Sequence, residues 1–477
     1  YLRANDFVGS DFRDQGPSTF GAIERGASER GNNRVYDGLN IYGDPVLCIG
    51  SIADGLIAGG DQSIAAIRTL LPDGTAGAFT PVGYTEASFV DNTTESLKFG
   101  GALHYRLTND IELLGQFNWG SGSTVYTAND RFVLDNFNIW TAKLEIRNPN
   151  YFIRGYTTQE DAGDSYAANT LATLINLETY VPAYFATFAG ARTQGATVNE
   201  AHAAAAAAGA AARVEPGSPE FEEAADRFRN TPISEGGAQF QDRSDMYHAE
   251  GYYNFSNVID PSTLGVIVGG NFRQFALESE GTLFALQDNG DEFTINEFGA
   301  YMQLQKSLLQ DKLDLQGSVR YDKNEFFDGQ FSPRVSAVYS LADKYNFRAS
   351  FQRGFRIPTT QDQFIDLDVV TRRLVGSNPA LVDRYQFESN TVYNSLSVER
   401  ARGVLAETGN LAQARAELEA IQFEDFEPEK VNTFEVGFKT LLGNRLLIDA
   451  YYFYSAYNDF IAEIDFTQAV AAGDADA

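Results

Sequence analysis

The chain has 477 residues and a formal net charge of -29, an acidic balance that argues against nucleic acid as a partner, because phosphates need clustered Lys and Arg. Mean hydropathy is -0.27, and no apolar run approaches the roughly 18 residues that a spanning helix requires, so a helical membrane protein is excluded. The single cysteine, Cys48, permits neither an internal disulfide nor a CxxC metal site.

Alternation and turn signals predict about thirteen strands. In chain order they lie near Tyr1 to Val8, Leu97 to Leu107, Ile111 to Ser123, Phe132 to Ile146, Tyr151 to Gln159, Ser244 to Phe255, Leu264 to Ala276, Phe293 to Leu308, Leu313 to Asp322, Arg334 to Leu341, Tyr345 to Arg353, Val431 to Thr440 and Arg445 to Ile461. The clearest stretch is Leu313 to Pro358. There Leu313, Leu315, Gly317, Val319 and Tyr321 alternate with Asp314, Gln316, Ser318, Arg320 and Asp322, and Phe347 and Phe351 repeat the pattern against Arg348 and Gln352. Soluble antiparallel sheets alternate too. Strand length decides: soluble strands run to about five or six residues, whereas a tilted transmembrane strand needs about 9–11. Aromatic residues at 13%, with Phe 36 and Tyr 24 against Trp 2, suit strands with aromatic girdles.

The links between these strands predict a parity. Thr108 to Asp110, Asn148 to Asn150, Ile259 to Ser262, Leu309 to Asp311, Ala342 to Lys344 and Gly443-Asn444 are short. Gly9 to Glu95, Thr124 to Arg131, Glu160 to Arg243, Leu277 to Glu292, Lys323 to Phe331 and Gly354 to Glu429 are longer. An up-and-down barrel puts all links of one parity at one rim, with short periplasmic turns and long extracellular loops; a Greek-key sandwich has no such requirement. The expected fold class is therefore all-β, a large antiparallel up-and-down transmembrane barrel with helical insertions in its extracellular loops. Those loops are 160–243 and 354–429. The alanine run Ala203 to Ala212, the acidic segment Phe221 to Arg227 and the stretch Ser397 to Ala420, broken at Gly409-Asn410, predict helices within them.

No catalytic constellation is visible. His104, His202 and His248 lie far apart, and no HExxH, GxSxG or P-loop occurs, so neither an enzyme nor a cofactor is expected. Asp362, Asp366 and Asp368 have the oxygen ligands a hard cation uses, although solvated loop charge is the plainer reading. The polar strand face is richer. Glu112, Gln116, Asn118, Lys143, Glu145, Arg154, Glu250, Arg273, Glu297, Gln303, Asp314, Arg320, Arg348 and Glu435 point into the lumen of such a barrel. Glu112, Arg154, Glu250, Arg273, Glu297, Arg320, Arg348 and Glu435 are its leading charged candidates. They either line water or satisfy one another as ion pairs.

Several runs resemble TonB-dependent outer-membrane receptors. They are Ser332, Pro333 and Arg334 leading into a strand; Arg348 to Gln352 followed by Gly354, Phe355, Arg356, Ile357 and Pro358; Pro428, Glu429, Lys430 and Val431 leading into Phe434 to Phe438; and Tyr451 to Phe460. Tyr36 to Asp44 and Arg154 to Tyr166 are similar to one large subgroup. The resemblance implies that residues 1–477 hold about thirteen strands of a barrel that has 22 in transporters of this class, with plug and closing strands outside the chain. No signal peptide is visible, Tyr1 begins directly in the strand-like run YLRANDF, and the other end is the polar tail AVAAGDADA, so an internal portion of a longer protein is expected.

By resemblance the parent binds a scarce extracellular solute and imports it across the outer membrane of a Gram-negative bacterium. A TonB-type energy complex pulls on the plug, with the plug and the segment that contacts the complex outside this chain; whether a surface lipoprotein is a further partner stays open. The lipid bilayer is the other expected partner. A passive or structural barrel, such as a channel or secretion component, and a soluble β-rich surface-binding protein are the alternatives.

Overall fold

The computed structural model describes residues 2–4, 34, 40–127, 130–342, 344–370, 372–423, 426–443 and 445–468. Positions 1 and 5–8 of the first predicted strand, 36–39 of the YDGLNIYGD run and 444 of the last turn lie outside the described residues.

One large antiparallel sheet dominates. Thirteen strands lie in line in chain order: β1 (Leu2–Ala4), β2 (Thr94–Arg106), β3 (Glu112–Thr127), β4 (Arg131–Arg147), β5 (Tyr151–Asp161), β6 (Asp245–Asn254), β7 (Gly265–Leu277), β8 (Phe293–Leu308), β9 (Leu313–Asn324), β10 (Gln330–Leu341), β11 (Tyr345–Arg356), β12 (Glu429–Leu442) and β13 (Leu446–Asn458). A two-residue strand, Tyr166–Ala167, pairs with Phe132 and Val133 of β4 off this line. Among the described residues no ladder joins β1 to β13, so the sheet is an open wall.

The strands outrun their predicted ends. β3 has 16 residues and β4 has 17; the register shifts between Gly122 and Thr124, and Asn136 of β4 has φ 55, so the upper part of this hairpin bends away as a bulge allows. The link predicted from Thr124 to Arg131 therefore shrinks to 128–130, and that from Lys323 to Phe331 shrinks to 325–329. The β6–β7 turn instead widens to 255–264, taking in a short 3-10 turn at Phe255–Asn257. Link length thus separates the two rims less cleanly than expected. The α-helices separate them fully: every one among the described residues lies in the β1–β2, β5–β6 or β11–β12 link, all of one parity.

The register sorts side chains onto two faces. Phe351 stands opposite Phe434 and Phe434 opposite Tyr454 on one face, while Ser350 stands opposite Glu435 on the other. The apolar face is bare of protein: Val319 is 41% and Phe347 46% exposed, Leu315 is exposed and Phe351 half-buried. Leu103, Leu144, Phe298, Phe434 and Tyr452 continue the exposed face across the wall. An apolar surface this extensive marks an interaction with hydrocarbon or another protein. Aromatic pairs such as Phe347–Phe438 and Phe351–Phe434, with centroids 5.1 and 4.8 Å apart, pave it.

The packed interior of the protein is in the links. Their helices are α1 (Ile49–Ala58), α2 (Ala168–Glu178), α3 (Tyr180–Thr193), α4 (Val198–Ala212), α5 (Pro219–Arg229) and α6 (Ser395–Thr408), with shorter ones at Gln62–Ile67, Gly74–Gly77, Glu86–Phe89, Thr360–Phe364, Pro379–Arg384 and Leu411–Arg415. Local chemistry explains several. Thr197 and Glu200 form a reciprocal capping box on α4. Ser218 caps α5, which has Pro219 in its first turn, Glu220 and Glu222 near its positive end and Arg227 and Arg229 near its negative end. Gly409, at φ 64, closes α6 in the left-handed region that a side chain would disfavour.

Three buried clusters hold the links, two of them against strand ends and one between links. In one, Phe284 of the β7–β8 link and Phe364 and Leu367 of the β11–β12 link meet Phe132 of β4 and Ile295 of β8. In another, Ile49 and Phe79 pack on Tyr184 and Phe188 of α3, with the Phe79 and Tyr184 rings stacked at 3.9 Å. The third sets Tyr84 and Val133 against Leu171 of α2 and Phe221 of α5. Polar stitches add to this: Arg131, at the start of β4, reaches the buried Glu86 at 2.9 Å, and the Tyr42 hydroxyl donates to the same carboxylate at 2.8 Å. The links therefore form one packed cap over one rim.

Candidate functional site

The polar face of the wall is a lattice of ion pairs. Arg154 Nε donates to Glu250 Oε1 at 2.7 Å, and Arg273 Nε donates to Glu297 Oε2 at 2.9 Å. Each of these pairs joins directly opposed residues of neighbouring strands, the arrangement in which cross-strand charges interact best. Arg348 reaches diagonally to Glu435 at 3.0 Å and onward to Asp449 at 3.1 Å. Glu112 accepts from Arg147 at 3.1 Å and touches the His104 ring. Arg320 donates to Asp322 at 2.8 Å and to Asn271 Oδ1 at 2.6 Å. Gly299 makes room for that last group, since a Cβ there would lie 2.4 Å from both Arg320 Nη2 and Asp322 Oδ1.

Six of the eight leading charged candidates thus pair among themselves, as Arg154–Glu250, Arg273–Glu297 and Arg348–Glu435. Glu112 and Arg320 find their partners outside this set of eight. Asp322 was legible, since it sits two residues from Arg320 on the same predicted face. Asn271, Asp449 and Asn324, which donates to Glu297 at 2.8 Å, were not, because only the cross-strand register brings them in. Of the other polar positions, Asn118 donates to Thr141 Oγ1 at 3.1 Å, and Asp314 accepts from Ser307 at 2.5 Å.

The remaining sequence candidates disperse. His104 and His248 sit on the wall, His248 against the Tyr156 ring with centroids 4.7 Å apart. His202 is buried in the cap, where Nδ1 meets the Tyr184 hydroxyl at 2.6 Å and Nε2 meets the Ala76 carbonyl at 2.8 Å; burial holds its imidazole below the usual range. The three acids of the 361–370 stretch turn to separate tasks. Asp362 caps the helix Thr360–Phe364 through the Thr359 N–H, Asp366 is buried against Arg373 at 2.6 Å and the Tyr385 hydroxyl at 2.8 Å, and Asp368 accepts from the Val370 N–H. Asp366 is thus not the solvated loop charge expected. Among the described residues no group of three or more His, Cys, Asp or Glu converges as a metal site.

One polar cavity, about 340 Å³, lies where the wall meets the cap. Its floor is the polar face of β7, β8 and β9, and its roof is the stretch from Phe355 to Gln363, which leaves β11 as the Gly-Phe-Arg-Ile-Pro run ends. The roof is held in place by backbone bonds from Ala285 to Phe364 and from Asp366 to Leu283, both with the β7–β8 link, and by the Gln363 side-chain amide, which donates to the Pro358 carbonyl at 2.7 Å.

The sequence matches the family described as "TonB dependent receptor-like, beta-barrel" over residues 68–476, which is most of the chain. The chain belongs to that family. As a TonB-dependent receptor barrel it resembles solved structures at low identity. The siderophore receptor PirA from Pseudomonas aeruginosa is 11% identical, with 77% of this chain and 47% of that chain covered and a TM-score of 0.42. PirA from Acinetobacter baumannii is 10% identical, with 77% and 44% covered and a TM-score of 0.43. The FrpB iron transporter from Neisseria meningitidis is 12% identical, with 80% and 47% covered and a TM-score of 0.40. This TonB-dependent receptor barrel therefore spans less than half the length of these proteins. No curated protein sequence matches it.

Proposed function

We propose that the chain forms the wall and outer cap of an outer-membrane receptor that captures a scarce extracellular solute and imports it with energy from a TonB-type complex. One observation supports this most: a wall with a bare apolar face and an ion-paired opposite face carries, among the described residues, all its α-helical links on a single rim. In this reading the apolar face meets lipid, the eight charged residues face the lumen, and the links 162–244 and 357–428 are extracellular. No chemical reaction occurs in the barrel. The siderophore and iron receptors among its structural neighbours make iron chelates the first solutes to try.

The test is growth of a deletion strain on candidate solutes as sole source. The reading expects growth to fail, to return with the gene, and to fail again when the inner-membrane energy complex is removed. Uptake that persists without that complex would point to a passive barrel instead.

A further inference from the structure

The cavity between β7–β9 and the Phe355–Gln363 roof has an uneven supply of hydrogen-bonding groups. Its two guanidiniums are only partly used. Arg273 meets Glu297 through Nε and Nη2, and Arg320 spends Nε and Nη2 on Asp322 and Asn271. The Nη1 groups of both have no protein acceptor among the described residues. A guanidinium carries five N–H donors in a rigid fork, so each keeps a pair directed away from its partner. The carboxylates are better filled. Glu297 is buried and accepts from Arg273 and, at 2.8 Å, from Asn324; both Asp322 oxygens are taken by Arg320. The roof shows the opposite deficit. Gln363 is 2% exposed, its amide nitrogen is engaged with Pro358 and Thr359, and its Oε1 has no hydrogen-bond partner. Such a buried acceptor is costly to leave without a donor.

We propose that this cavity binds a small hydroxycarboxylate: its oxyanion is clamped by the free Nη1 groups of Arg273 and Arg320, and its hydroxyl donates to Gln363 Oε1. Charge-assisted bonds from two guanidiniums supply the affinity, and the roof acceptor supplies the discrimination against acids that lack the hydroxyl. The inference rests on the uptake reading only for its biological meaning, since binding is measured without transport.

The experiment is calorimetric titration of the intact protein, purified from membranes in detergent, with citrate and with tricarballylate, which is the same triacid without the hydroxyl. Citrate is expected to bind, with tricarballylate at least about tenfold weaker. Arg320→Lys keeps the charge, loses the fork and should weaken citrate about tenfold or more. Gly299→Ala pushes a methyl group into the Arg320–Asp322–Asn271 cluster and should do the same. Gln363→Met should remove the difference between the two acids while leaving tricarballylate unchanged. Arg227→Lys, on an exposed pair of the cap with Glu178, is the control and should bind like the parent. Retained heat-resistant electrophoretic mobility shows that each variant is folded. No citrate binding by the folded parent, or binding insensitive to both Arg320→Lys and Gly299→Ala, overturns the site. Equal affinity for the two acids overturns the role of Gln363. Citrate binding in a strain that imports no solute would sink the uptake reading alone; import without citrate binding would sink this one alone.

Discussion

His202 shows how a single side chain ties the cap together. It bridges the Tyr184 hydroxyl on α3 and the Ala76 carbonyl in the β1–β2 link from its place on α4, and it is buried beside the Phe188 ring at 4.6 Å. Its folded pKa lies below the value of about 6.5 for a free imidazole. The unfolded histidine therefore takes up a proton that the folded one refuses, so its contribution is complete above about pH 6.5 and is lost as pH falls below it, by at most about 1.4 kcal/mol per pH unit. Hydrogen exchange of the α3 and α4 amides should be slower at pH 7.5 than at pH 5.5 after correction for intrinsic rates, and His202→Gln should flatten that difference. An unchanged pH dependence in the variant would remove His202 from the account. The sequence showed His202 as one histidine among alanines. Its partners, 18 and 126 positions away, could not be read without the fold.

At the scale of elements, the strands were legible because their signal is local: alternate residues of one strand meet alternate environments, whatever the neighbouring strand is. The consequence can be measured by placing Arg at successive positions of β9. At Leu315 or Val319 it should cost about 2–4 kcal/mol where the strand crosses the midplane, falling towards zero near the rims, and at Gln316 or Ser318 it should cost little. Equilibrium unfolding from phospholipid bilayers reads the difference; equal costs on the two faces would contradict the assignment. Helices α2 and α3 were not legible. Their sequences, ANTLATLINLE and YVPAYFATFAGART, carry apolar and β-branched or aromatic residues with no polar stripe, because both are largely buried by neighbours that the sequence does not announce. The helix α4 was legible from its alanines, and α6 with its following break from Gly409.

For the whole molecule, the two faces make opposite demands on the surroundings. A photoreactive probe dissolved in the lipid phase should label Leu144, Phe298 and Phe347 in reconstituted protein and spare Arg154, Arg320 and Arg348; peptide mapping gives the answer, and labelling of both sets alike would overturn the membrane wall. The ion-pair lattice was only half visible beforehand. Alternation puts the charges on one side, but which cation meets which anion depends on stagger between strands, and stagger is set by links whose true ends differed from those expected. The cavity under the Phe355–Gln363 roof was invisible for the same reason, as it needs β7, β8, β9 and a distant link in register at once.

The cap also dictates an order of assembly. Phe132, Phe284 and Phe364 meet in one cluster although they come from three separate links or strand ends, and they become neighbours only after β4 to β11 have been laid side by side. Closing such distant contacts early is entropically expensive. The capped rim of this protein is thus a keystone set last: pairing of the ribbons has to come first, and a chain stalled part-way would leave its aromatic clusters unburied.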